Sequence, residues 1–214
     1  MKFRPRSFLV FLVFALSSCQ SAFFTDLVTA PGQALYRDDF SDSSGGWRQS
    51  SDPDSSQGYA DGAYNIQVQA THYILWAASG HAYKNMKVEA DANRLAGPQA
   101  NLFGLVCRAK DESNFYFFVI SSDGYYGIGK IRQGVTSLID QEMMLYSPLV
   151  PQEAGTVHLR FDCTGPALTG YVNGQQVAAV RDADFASGDA GLIAGTLDVG
   201  GVDVAFDNFV VIKP

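Results

Sequence analysis

Helical periodicity is missing from this chain. No window carries an apolar i, i+3, i+4, i+7 stripe with capping residues, so helix is expected almost nowhere. Cysteine is scarce, at 3 residues, as is histidine, at 3. No CxxC, HxH or HExxH spacing occurs, and His72, His81 and His158 stand apart, which removes the usual zinc chemistry. Charge is thin, at 17% of residues, and acidic, with 15 Lys+Arg against 22 Asp+Glu. A nucleic-acid partner would need the opposite sign to release phosphate counterions, so none is expected. Aromatics at 13% are too plentiful for a disordered chain, and the 21 glycines follow no collagen-like period. The glycine cluster Gly124-Tyr125-Tyr126-Gly127-Ile128-Gly129 lies between two strand-like runs, with no helix N-terminus to hold a phosphate. No nucleophile elbow is present either.

Long apolar runs are also missing. Phe8 to Leu16 is unbroken but too short to cross roughly 30 Å of hydrocarbon, and no other stretch is longer. Preceded by Lys2, Arg4 and Arg6, it suits the h-region of a signal peptide. It ends in Leu16-Ser17-Ser18-Cys19, which resembles a bacterial lipobox. Small residues would let the backbone enter a peptidase, and the Cys19 thiol would take the diacylglycerol. The alternative is an ordinary cleaved signal peptide with a chance cysteine. The expected organisation is a lipoprotein signal peptide over 1–18, a lipidated tether over 19–33 and one domain over 34–214. The expected location is the extracytoplasmic side of the cell membrane.

From residue 34 the chain alternates with period two in short runs punctuated by Gly, Asn and Asp. They are 34–40, 63–68, 72–77, 85–93, 101–109, 114–121, 124–132, 136–139, 156–163, 167–172, 175–181, 190–196 and 202–212. Asp123-Gly124 and Asn173-Gly174 each sit between alternating runs and read as hairpin turns. The stretches 41–58 and 146–155 read as loops. So many strands without a linker predict an all-β fold, a single antiparallel β-sandwich. Cys107 and Cys163 both fall in strand-like runs, and export permits a disulfide between them. It would close a loop of roughly 57 residues, contributing about 4 kcal/mol in the chain-entropy account. Two free buried thiols are the alternative.

The segments YRDDFSDSSGGW, DGAYNIQV, FGLVCRAKDESNFYFFVISSDGYYGIGKI, LRFDCTGPALTGYVNGQQVAAVRD and FDNFVV are together similar to a bacterial extracellular domain of the concanavalin A-like lectin/glucanase superfamily. Within it, the chain looks like laminin-G-like domains and the 3-keto-disaccharide hydrolase-like domain. The resemblance covers roughly residues 34 to 212. It implies a jelly-roll sandwich that hosts sugar binding, hydrolysis or plain adhesion.

Superfamily glucanases place carboxylates at alternate positions of one strand, one as nucleophile and another as general acid. VEADAN offers Glu89 and Asp91 at that spacing, with Asn93 where a third carboxylate would stand. Alternation alone also explains the pattern, so no catalytic residue is assigned. Sugar binding needs flat aromatics to stack on pyranose faces and planar polar groups to fork onto hydroxyls. The candidates are Arg108, Tyr116, Tyr126 and Lys130, with core packing as the alternative for the tyrosines. No cofactor is required. Asp38, Asp39 and Asp207, at the two ends of the domain sequence, are candidates for a structural Ca²⁺, with backbone capping as the alternative. The function expected is a surface-anchored, non-catalytic carbohydrate-binding module. The other readings are a glycoside hydrolase-like enzyme and a structural or protein-interaction module.

Overall fold

A computed structural model describes residues 31–152 and 154–214. The signal segment, Cys19 and most of the tether lie outside the described residues. The described chain forms strands β1 (Ala34–Asp38), β2 (Ser50–Ser51), β3 (Ser55–Ala60), β4 (Ala63–Val68), β5 (Ile74–Tyr83), β6 (Met86–Ala96), β7 (Asn101–Asp111) and β8 (Asn114–Ile120). Then follow β9 (Tyr125–Arg132), β10 (Val135–Leu138), β11 (Leu145–Tyr146), β12 (Thr156–Thr164), β13 (Ala167–Val172), β14 (Gln175–Arg181), β15 (Gly188–Thr196) and β16 (Val202–Ile212).

These strands make two antiparallel sheets. The nine-stranded sheet runs β14-β13-β12-β6-β16-β4-β3-β2, with β1 also on β16. The seven-stranded sheet runs β10-β9-β8-β7-β15-β5, with β11 also on β9. The fold is therefore the expected antiparallel β-sandwich. The terminal runs meet as the jelly-roll reading implies, with Tyr36 opposite Val211 and Asp38 opposite Phe209.

Alternation explains the core. On β6, Met86, Val88, Ala90 and Ala92 point inward and are fully buried, while the residues between them are partly exposed. On β12 the inward set is Val157, Leu159, Phe161 and Cys163. The facing sheet supplies Leu105, Cys107, Tyr116, Phe118, Ile128 and Leu192. Burying each large apolar side chain of this kind stabilises by about 1.5–3 kcal/mol. The disulfide Cys107–Cys163 forms, with a Cα–Cα separation of 6.7 Å. Its strands are not neighbours in one sheet. β7 and β12 face each other, so the bridge staples the two sheets through the core.

Strands β7 and β8 do not alternate between buried and exposed, because the outer face of their sheet is covered too. Val106, Phe115, Phe117, Val119, Ile131 and Ile193 form a second apolar cluster there. The stretch 41–58 is not all loop. It contains β2 and the start of β3, whose Ser, Gln and Gly residues lack strand propensity but complete the ladder to β4. An Asp61-Gly62 turn, both residues at positive φ (53° and 76°), closes that hairpin. Asn173 and Gly174 behave likewise at 49° and 78°. The Asp123-Gly124 turn is wider than two residues: the β8–β9 ladder ends at Ile120 opposite Tyr126, and Gly124 alone of the pair has positive φ.

Candidate functional site

Three of the four residues expected to hold sugar, Arg108, Tyr116 and Lys130, meet the segment 182–185 rather than a solvent-facing groove. Arg108 is 2% exposed. Its Nε donates to the Lys84 carbonyl at 3.0 Å, and its Nη1 donates to the Gly165 and Phe185 carbonyls at 2.7 and 3.0 Å. Its Nη2 donates to the Cys163 carbonyl at 3.1 Å and to Asn85 Oδ1 at 3.3 Å. A guanidinium with five such acceptors has no donor left for a ligand. Burial pulls its pKa below the ordinary arginine value. Arg108 ties down the β5–β6 turn, the β12–β13 turn and the segment before β15.

Tyr116 is fully buried and stands opposite Lys130 in the β8–β9 ladder. Its hydroxyl donates to Asp182 Oδ1 at 2.5 Å and accepts from the Phe185 amide at 3.0 Å. Lys130 pairs with Asp182 and, at 2.6 Å, with Asp184. Burial alone would push the Asp182 carboxyl up. The bonds from Lys130 and Tyr116 outweigh it and hold that carboxyl below its usual range. Lys130 mirrors this: burial lowers its ammonium, and the two aspartates raise it further. Tyr126 is half-buried against the core. Arg108, Tyr116 and Lys130 are thus a latch on residues 182–185, a role sequence alternation could not separate from a binding face.

The calcium candidates do not converge. Asp38 turns toward the interior, where it accepts from the Phe40 amide at 2.8 Å, Trp47 Nε1 at 3.0 Å and the Tyr36 hydroxyl at 3.2 Å. Asp39 accepts from the Ser41 amide and hydroxyl at 3.1 and 2.6 Å. Asp207 accepts from the Asn208 amide at 2.6 Å. Among the described residues no three His, Cys, Asp or Glu side chains are grouped to hold a metal ion.

The polar groups that do face solvent together lie on the outer face of the nine-stranded sheet. Antiparallel register aligns them in cross-strand rows. One row runs Arg37, Val210, Glu89, Arg160, Tyr171. The next runs Asp207, Asp91, His158, and a third runs Gly58, Asn65, Ala205, Asn93, Thr156. On the other side of the first row lie Ile212, Lys87, Asp162 and Thr169. These are the positions left over when each strand turns its apolar set inward.

The centre of this face is ordered by its own contacts. The guanidinium carbon of Arg160 lies 3.9 Å from the centroid of the Tyr171 ring. Its Nε and Nη2 fork onto Asp162 Oδ1 and Oδ2 at 2.9 and 3.0 Å. Burial lowers the Arg160 pKa, and the Asp162 carboxylate more than reverses this. Asp91 accepts from Asn208 Nδ2 at 2.9 Å and meets His158 Nδ1 at 2.8 Å. His158 Nε2 is 3.6 Å from Glu89 Oε2. The imidazole therefore sits between the two carboxylates that resembled a glucanase pair. Beside them Arg37, Asp39, Glu89, Asn208 and Val210 border a depression of about 590 Å³. Such a face offers a stacking platform and several hydroxyl acceptors within a few strands.

His158, Arg160 and Tyr171 were not among the sugar-binding candidates. The alternation of His158, Arg160 and Asp162 was visible, but the pairing of β12 with β6 was not.

No family model matches the chain, and no curated protein matches it. Solved structures do. A protein with a galectin-like fold from Bacillus subtilis matches with TM-score 0.64 and 13% identity over 86% of this chain and 97% of that one. The carbohydrate-binding module CBM66 from Bacillus subtilis matches with TM-score 0.55 and 19% identity, covering 78% of this chain and 96% of that one. A β-glucanase from Bacillus licheniformis matches with TM-score 0.59 and 11% identity over 87% and 99% of the two chains. At such identities the likeness is one of fold, and that fold is the jelly-roll β-sandwich.

Proposed function

We propose that this protein is a carbohydrate-binding module, held by a lipid on Cys19 at the extracytoplasmic face of a membrane, that binds glycan on the outer face of its nine-stranded sheet. The observation that carries the reading is the Arg160–Tyr171 stack, set in one register row with Glu89 and flanked by Asp91, His158 and Asp162. The stacked Arg160–Tyr171 pair supplies a flat platform for a sugar ring, and the neighbouring carboxylates and amides accept from the sugar's hydroxyls. Fold likeness to a carbohydrate-binding module and to a glucanase supports the reading without deciding it. Ca²⁺ forms no part of it.

A hydrolase-like activity is the second reading, favoured by Glu89 and Asp91 sharing one face of β6. Against it stands His158, whose two ring nitrogens meet Asp91 and Glu89 at 2.8 and 3.6 Å, so that both carboxylates already have a partner within the protein. A glycan array probed with the Cys19→Ala chain, followed by incubation of each hit and product analysis, separates the readings. Binding without turnover supports the module. Turnover abolished by Glu89→Gln supports the enzyme. Silence on every glycan class overturns both.

A further inference from the structure

Two seats of related chemistry lie on one cross-strand row of the polar face. The first is the Arg160–Tyr171 stack on β12 and β13, a flat surface edged by the Asp162 carboxylate. The second is the depression of about 590 Å³ at the other end of the row, over β6, β16 and β1. Half-buried Val210 and Ile212 give it apolar surface, and Arg37, Asp39, Glu89 and Asn208 give it polar groups. Apolar surface with a few placed polar groups is the usual make-up of a small-ligand seat. A pyranose ring has the matching character, with apolar C–H faces and a rim of hydroxyls.

A bulge shapes the depression. β16 meets β6 at Asp207–Asp91 and again at Val210–Glu89, so Asn208 and Phe209 together stand against Ala90 alone. Asn208 takes a positive φ of 53°, Phe209 turns into the core, and the Asn208 amide reaches Asp91 at 2.9 Å. An extra residue of this kind bends its strand and re-aims the side chains around it. Arg37 stands opposite Val210 at the bend, and its guanidinium has no ion pair or hydrogen bond among the described residues. Glu89 is also short of a hydrogen bond, since His158 Nε2 lies 3.6 Å away. A donor and an acceptor are thus on offer at the same end of the row.

Register fixes how far apart the seats are. Tyr171, Arg160, Glu89 and Val210 occupy four neighbouring strands, so the seats are three strand spacings apart, about 14 Å. Sugars in an extended chain repeat at close to one strand spacing. Seats three spacings apart therefore suit the first and fourth sugars of one chain.

We infer that the glycan bound on this face is a linear chain held over four consecutive sugars, the first on the Arg160–Tyr171 pair and the fourth in the depression beside Arg37. Glu89 accepts from a hydroxyl on the way. This length and shape go beyond glycan binding itself, on which they rest.

Calorimetric titration of the full chain bearing Cys19→Ala tests this. The probes are laminari- and cello-oligosaccharides of one to six sugars, with the same size series cut from the strongest glycan of the array. Affinity should rise with each sugar up to four and then level. Arg37→Ala should weaken the four-, five- and six-sugar probes roughly tenfold, the scale of one hydrogen bond to a charged group, and spare the two- and three-sugar probes. Its strand spectrum should match wild type, because the exposed guanidinium has no partner to lose. Tyr171→Ala should weaken every probe. A plateau before four sugars, or an Arg37→Ala effect that is absent or equal at every length, would overturn the four-sugar chain while leaving glycan binding standing. No binding in any series would overturn glycan binding and the four-sugar chain with it.

Discussion

Arg160 lies over the ring of Tyr171, 3.9 Å from its centroid, while its fork grips Asp162 from the side. The two residues are directly opposite in the β12–β13 ladder, so the stack is imposed by register rather than by loop conformation. A platform built on strands keeps its shape before ligand arrives, which lowers the ordering cost of binding.

The latch at residues 182–185 predicts an acid-sensitive contribution to stability. The Asp182 carboxyl is held below the ordinary aspartate value of 3.8 by Lys130 and Tyr116, against the opposing effect of burial. Its contribution is present above the unfolded pKa and is lost as pH falls through the lower folded pKa. Urea titrations should therefore show Asp182→Asn less stable than wild type at neutral pH, with the gap closing below about pH 3.8. A gap constant down to strong acid would refute the assignment.

At the alkaline end, the Tyr36 phenol is raised to about 12, chiefly by burial. A raised folded pKa means stability fully present below the unfolded value of 10.0 and lost as pH climbs toward 12. Lys130, also raised, adds loss in the same direction above 10.5. Tyr36→Phe should soften the alkaline limb of a stability-against-pH curve. An unchanged limb in that variant would contradict the account.

Removing the Cys107–Cys163 bridge should leave the fold intact but weaker. The separation of 56 residues corresponds to about 4 kcal/mol in the chain-entropy account. Denaturant unfolding of the Cys107→Ala/Cys163→Ala chain measures this. A midpoint equal to wild type would show that the sheets need no covalent tie.

Arg108→Met keeps much of the side-chain volume while withdrawing every donor from four carbonyls, of which those of Cys163 and Phe185 belong to buried residues. A loss of about 2 kcal/mol or more follows, since each buried acceptor left orphaned costs roughly 1 kcal/mol or more. Glycan affinity per folded molecule should not change, because Arg108 does not reach the outer polar face. Loss of binding without loss of stability would restore Arg108 as a ligand contact.

Much of the sandwich was legible from the chain, and the reason is its alternation. Strands such as Thr156–Thr164 and Met86–Ala96 bury one face only, so period two shows through. Ser55–Ala60 hid because its pairing rests on backbone bonds to β4 and on an Asp61-Gly62 turn, not on apolar side chains. Arg108 misled for a different reason. It sits at φ 54° in an irregular stretch of β7, so counting alternate residues gives no guide to where its side chain goes. The polar face depended on pairing strands far apart in sequence, with Glu89 against Arg160 and Asp91 against His158, and no local pattern encodes such register.

The central claim turns on Tyr171. Titrating wild type and Tyr171→Ala with the strongest oligosaccharide from the array measures it most directly. The account predicts binding weakened roughly thirtyfold, the scale of losing one aromatic anchor, with the strand spectrum of the folded protein retained. Equal affinity in the two proteins would contradict the placement of the glycan on this face.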